Sequence, residues 1–227
     1  MPDQPEIGPL PDVVPVFPLP NLVMFPHAVL PLHIFEMRYR AMTRDALAGP
    51  RLIAMATLAP GYEPDYDGNP GIWPVGCLGR IIDEERLPDG RFNFLLHGVA
   101  RIRFGLELPS DPYRRAKFEV LADRPADAAH TTIMRQALGS LYELLAENDQ
   151  VPVEPLARIG SREATLGETA DLIAHALAAE PKQKQELLEE LDVGRRAVKV
   201  AALLQGRIQS LGLRPHRRRL PGDPNLN

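Results

Sequence analysis

The chain has 227 residues, 44% hydrophobic, 25% charged and 6% aromatic, a soluble globular composition that excludes a collagen-like or wholly disordered protein. Twenty-six Lys and Arg against 30 Asp and Glu leave a formal charge of −4, which excludes a surface built throughout to neutralise phosphates but leaves room for a local basic patch. Cys77 is the single cysteine, so neither an internal disulfide nor a Cys-x-x-Cys metal or redox site can form. The start, Met1 to Leu10, has no basic residue and no apolar signal core, and nothing approaches the ~18 apolar residues of a membrane span. The expectation is a cytoplasmic protein.

In chain order, proline speaks first. Nine of the 24 prolines precede Leu32 and exclude a helix there, because each removes a donor and clashes with the preceding turn. The apolar residues between them, Val13 to Phe17 and Val29 to Leu32 among them, predict short strands at sheet edges or bulges, joined by a tight turn at Pro26-His27. Histidine tolerates a positive φ better than most residues, which suits that turn. Phe35, Tyr39, Met42 and Ala46 then recur with helical spacing up to Gly49-Pro50. Arg51 to Leu58 predicts a strand, and Ala59 to Gly71 an exposed loop. Trp73–Arg86, Arg91–Phe104 and Tyr113–Leu121 predict three more strands, the first two paired through Pro88-Asp89-Gly90, with Gly98 marking a bulge.

After Pro125 the pattern is helical. Stripes run through Met134, Leu138, Leu141 and Leu145, then Leu166, Ala170, Ile173 and Leu177, then Val193, Ala197, Val200, Leu204 and Ile208. Thr165 with Glu168 forms a capping-box pattern, Pro181 suits a first helical turn and Asp192 an N-cap. Strands first and helices second is the segregated α+β class. The organisation predicted is a Pro-rich segment over 1–11, a β half with one helix over 12–124, a helical subdomain over 125–211 and a basic tail over 212–227.

Catalytic constellations fail on inspection. No Gly-Lys dipeptide permits a P-loop, and neither His-Glu-x-x-His nor Gly-x-Ser-x-Gly occurs. The serines (110, 140, 161, 210) and lysines (117, 182, 184, 199) lack the glycine-rich surroundings of an oxyanion hole. Asp65 to Asn69 resembles a calcium loop only until Pro70 and Gly76, which stand where Gly and Glu are needed. His27 and His33 lack a third ligand, so no metal and no cofactor is expected. Cys77 reads as a small buried hydrophobe. Arg101 and Arg103 share a strand face, and Arg207 to Leu220 holds Arg207, Arg214, Arg217, Arg218 and Arg219 with no acid, which suits nucleic acid or an acidic partner as readily as a solvated tail.

The run Val14-Pro15-Val16-Phe17-Pro18-Leu19-Pro20-Asn21-Leu22-Val23-Met24-Phe25-Pro26, followed by Val29-Leu30-Pro31-Leu32, resembles the opening of the Lon protease N-terminal domain. The resemblance continues through Phe35-Glu36, Tyr39-Arg40, Val75 to Ile81, Leu87 to Arg91, Gly98 to Ile102, Asp171 to Ala174 and Lys184 to Asp192, so it covers residues 12 to 210. It departs at His27, where the family often has Gly, and at Pro20-Asn21, which replaces Arg-Asp. It implies a PUA-like β-barrel followed by a helical bundle, and a stand-alone substrate-recognition module without ATPase or Ser–Lys protease domains, so not an enzyme. The implied partner is an unfolded or exposed hydrophobic polypeptide, with a protease or chaperone downstream; nucleic acid and membrane are not expected partners, and the oligomeric state stays open. Candidate peptide contacts are Phe25, Pro26 and His27 in the turn and Tyr62, Tyr66 and Trp73 around the long loop. The alternative, nucleic-acid binding, would use Arg101, Arg103, Arg217, Arg218 and Arg219.

Overall fold

Proline placement governs how the first strands pair. A computed structural model describing residues 10–65, 68–109 and 111–214 places β1 at Val13–Leu19 and β2 at Val29–Ile34. β2 is a true edge strand, paired only with β5 (Phe92–Leu108), which tolerates Pro31. β1 is not at an edge, contrary to the expectation from its prolines. Val13–Pro15 pairs antiparallel with β6 (Arg115–Leu121), and Val16–Leu19 pairs parallel with β3 (Leu52–Thr57). Because β1 changes partner part-way, each proline meets a ladder on one side only and its missing N–H can lie on the other.

Helix α1 (Met37–Ala48) buries Tyr39, Met42, Thr43 and Ala46 and ends at Gly49. Phe35, expected to start that stripe, lies between β2 and the helix, outside both, and is 61% exposed. β4 (Val75–Arg86) and β5 form the expected antiparallel hairpin, with Gly90 at φ 81° in its turn. The strand order is β2-β5-β4-β3-β1-β6, and β6 also pairs with the second half of β5, so the ladder returns to a strand it already contains. Alternation divides the side chains between two clusters. Phe17, Ile53, Met55, Cys77, Ile81, Phe94 and Leu96 pack with α1, whereas Val14, Leu52, Ala54, Leu78 and Ile102 pack on the opposite side.

The second half comprises α2 (Ala128–Ala146), a single turn α3 (Leu156–Ile159), α4 (Leu166–Ala176), α5 (Pro181–Glu189) and α6 (Val193–Ser210). Asp127, Thr165 and Asp192 cap α2, α4 and α6 by accepting from the backbone N–H of Ala129, Glu168 and Arg195. Leu138, Tyr142, Leu145, Ile173, Val200 and Leu204 form a core in which α4 lies against both α2 and α6. Val23, Phe25 and Val75 from the β half belong to that same core, so the two halves share apolar contacts.

Candidate functional site

The turn between β1 and β2 is pressed against the sheet, and that decides what its residues can do. A Cβ on Gly98 would collide with the Phe25 carbonyl oxygen and stand 3.1 Å from Pro26 Cα, so only glycine lets this backbone cross β5. Gly98 lies beside the register shift that leaves Val99 unpaired, which is the bulge expected there. Phe25 is 0% exposed, its ring edge-on to His175 at 6.5 Å, and Pro26 is also buried. Both are therefore corrected: their side chains fasten the turn to the sheet and helices and offer no surface to a peptide. His27 is half-buried with φ 67°, its backbone N–H donating to Gly98 O at 2.8 Å. Tyr62 and Trp73 are half-buried, and Tyr66 lies outside the described residues.

Arg101 is corrected as well. It is 3% exposed and faces the helices, not solvent, where it anchors a charge cluster across the seam between the halves. Its guanidinium holds both oxygens of Asp171 on α4, one at 2.9 Å, lies 3.5 Å from Asp123, and donates through Nε to Leu188 O at 2.9 Å. Arg196 on α6, 0% exposed, chelates Asp123 with one contact at 3.0 Å, lies 3.0 Å from Asp171 through Nε, and donates to Glu190 O at 2.6 Å. Two cations and two anions thus cancel, with Arg101, Arg196 and Asp171 buried and Asp123 reaching partly into solvent. Burial opposes the charge on Arg101, but Asp171 and its hydrogen bond, with Asp123 behind, hold the pKa above its usual value. Arg103 is exposed, 3.9 Å from Glu119, and Arg217, Arg218 and Arg219 lie outside the described residues.

A different surface is open. Where β2, β5 and β4 extend beyond the rest of the sheet, one face is sealed by α1 over Ile34, Phe92, Phe94, Leu96 and Ile81. The register sets three cross-strand rows on the other face: Val29–His97–Arg80, Pro31–Leu95–Ile82 and His33–Asn93–Glu85. Val29 is 45% exposed, Ile82 38% and Pro31 exposed, with Leu95 half-buried between them. His33, Asn93 and Glu85 are joined by hydrogen bonds of 2.6 and 2.9 Å that close one end of the face. The Phe35 ring stacks beside His33 at 6.2 Å, and Met37 next to it is 71% exposed. Scattered apolar residues are ordinary on a surface; a row spanning three strands with flanking Phe and Met is a patch.

Sequence reasoning missed this face because its members look like routine outward positions of alternating strands. Only the register puts Pro31, Leu95 and Ile82, from three segments, in one line. Among the described residues no cluster of His, Cys, Asp or Glu has the arrangement of a metal site, and no helix is long and apolar enough to cross a membrane. Cys77 is 0% exposed, and burial pushes its thiol up to about 12.

The sequence matches the ATP-dependent protease La (LON) substrate-binding domain over residues 13–206. It is 30% identical over 208 residues to a Lon protease of Desulfosudis oleivorans, covering 90% of this chain and 25% of that protein. Similarity to Lon protease 1 of Myxococcus xanthus is also 30% over 208 residues, covering 87% of this chain and 25% of that protein. The chain therefore spans about a quarter of the length of the curated relatives it matches. The fold is that of the N-terminal domain of Mycobacterium avium complex Lon protease, with a TM-score of 0.66, 17% identity, and 85% of this chain and 98% of that chain covered. It is likewise similar to a Lon N-terminal domain protein from Xanthomonas campestris, with a TM-score of 0.59, 21% identity, and 84% and 97% covered. With a family match reaching from β1 into α6, the chain belongs to the Lon substrate-binding domain family.

Proposed function

We infer that this chain is a non-catalytic recognition module that binds unfolded or exposed apolar segments of other proteins on the open face of β2, β5 and β4. The observation that carries the reading is the Pro31–Leu95–Ile82 row with Val29, Phe35 and Met37 around it, which the strand register makes one contiguous face. An extended peptide places alternate side chains on one side, a spacing that matches the rows of a sheet. His27 borders this face and is the one turn residue of the three first considered that keeps a role; Tyr62, Tyr66 and Trp73 remain secondary candidates. The double pairing of β6 supports reading the ring of β5, β4, β3, β1 and β6 as a PUA-like barrel, with the open face on its outward extension. Delivery of bound polypeptide to a protease or chaperone in the cytoplasm completes the reading. Nucleic-acid binding is disfavoured, because Arg101 is consumed in the seam.

The test is fluorescence anisotropy of a labelled, carboxymethylated, permanently unfolded polypeptide. Saturable binding that persists at raised salt is expected, since burial of apolar groups is weakly screened. Single-stranded RNA in parallel should give no signal. Absence of saturable polypeptide binding, or binding unaffected by serine at both Phe35 and Ile82, would overturn the assignment.

A further inference from the structure

The open face does not end in apolar groups. Resting on the reading above, we propose that it carries an anion subsite at Arg80, His97 and His27, which selects apolar polypeptide segments bearing an acidic side chain. Arg80 and His97 are cross-strand partners, so both side chains project on the same side as Val29, one row from Pro31, Leu95 and Ile82. His27 follows along the chain, its backbone hydrogen-bonded to Gly98 beside His97.

No ion pair to a carboxylate is formed by Arg80, His97 or His27 among the described residues, although Glu168 acts on His97 from a distance. Among the described residues Arg80 reaches only the backbone oxygen of Pro50, at 3.2 Å. Arg40, Arg135 and Lys184 likewise meet backbone oxygens and no acid, so what distinguishes Arg80 is its place in a row beside His97 and the apolar face. The charged groups facing His97 are His27 from the turn, Arg80 from β4 and Glu168 from α4. Glu168 is 6% exposed and already chelated by Arg158, one contact at 3.2 Å, so it cannot swing out to neutralise the corner. The corner thus carries the Arg80 charge with two imidazoles beside it, and it is half-exposed next to an apolar row.

Adjacent rows are two residues apart, roughly 7 Å along the strands, which is also the i to i+2 spacing of an extended peptide. An apolar side chain over Pro31–Leu95–Ile82 therefore brings the side chain two positions away over Arg80 and His97. A carboxylate there gains charge-assisted hydrogen bonds, an amide gains less, and an ammonium is repelled. Burial, then the neighbouring His27 and Arg80, hold the His97 pKa below its ordinary value, with Glu168 opposing. A bound carboxylate raises it. Binding consequently takes up a proton, and affinity for an acidic segment increases as pH falls towards the free imidazole's pKa, until the ligand carboxylate itself protonates.

The experiment uses three labelled peptides with the same apolar stretch and amidated C-termini, differing only in Asp, Asn or Lys two positions beyond the apolar anchor. Anisotropy against the full chain at low salt should rank them Asp, Asn, Lys, with Asp roughly three- to fivefold tighter than Asn at about pH 7.5 and the ratio larger at about pH 5.5. In Arg80→Gln the ratio should fall to about one, while Arg80→Lys should retain a preference. Equal affinity for Asp and Asn peptides overturns the anion subsite and leaves the apolar face standing. No binding of any peptide overturns both. A preference that persists in Arg80→Gln with His97→Gln places acid recognition elsewhere and also overturns the subsite.

Discussion

At the seam between the halves, Arg101 and Arg196 are 3% and 0% exposed and each meets two carboxylates. On the open face Arg80 meets a single carbonyl, and apolar side chains stand in solvent. The same residue types are used to opposite ends. Charge inside the seam is cancelled locally and joins two packed units, so any imbalance is costly. Charge and apolar area on the face have no such partners among the described residues, as the proposed recognition role requires. A structural role and a recognition role are thus told apart by whether each group's partners are already present.

The largest expected effect breaks the seam. Asp171→Ala should cost about 3–5 kcal/mol in urea unfolding, because it leaves two buried guanidinium groups short of an anion. The further change Arg101→Met should recover part of that loss, and a double variant no more stable than Asp171→Ala would show that the pair is not coupled.

Next is His175, half-buried and edge-on to Phe25, with its buried Nδ1 unpartnered. Burial, then Lys184, pushes its pKa from 6.5 to about 4, against a hydrogen bond that the imidazole donates to the Val23 backbone carbonyl. The unfolded state binds the proton first, so stability falls as pH drops below 6.5, by up to about 3 kcal/mol near pH 4. In His175→Gln that component should vanish, so the stability difference between wild type and variant should shift steadily in the variant's favour over this window. A difference that does not change with pH would contradict the assignment.

Gly98→Ala should cost about 1–3 kcal/mol by forcing the Phe25–Pro26 backbone off β5, measurable as a lowered Tm. The smallest stability effect is expected on the face: Phe35→Ser and Ile82→Ser should each stay within about 0.5 kcal/mol. Together they should nevertheless weaken unfolded-polypeptide binding roughly tenfold. If they destabilise like Gly98→Ala, the face is core and not a docking surface.

How legible each region was follows from sequence distance. Local chemistry announced the β4–β5 turn through Pro88-Asp89-Gly90 and the caps through Thr165 and Asp192, and all three appear as read. Thr165 forms only half of the capping box, because the Glu168 side chain is taken by Arg158. Long-range pairing was illegible. Arg101 beside Arg103 looked like a solvated face because its anion, Asp171, lies 70 positions on. Phe25 and Pro26 looked available in a turn because nothing local shows that a backbone crosses Gly98. The face itself requires the register of three strands, and no single segment encodes that.

The most direct test of the recognition claim is amide hydrogen exchange of the full chain with and without the carboxymethylated polypeptide. Slowed exchange concentrated at Val29–Phe35, Arg80–Glu85 and Asn93–His97, with α2 and α6 unchanged, is the predicted result. Protection confined to the helical half, with the three strand segments unaffected at saturation, would contradict it.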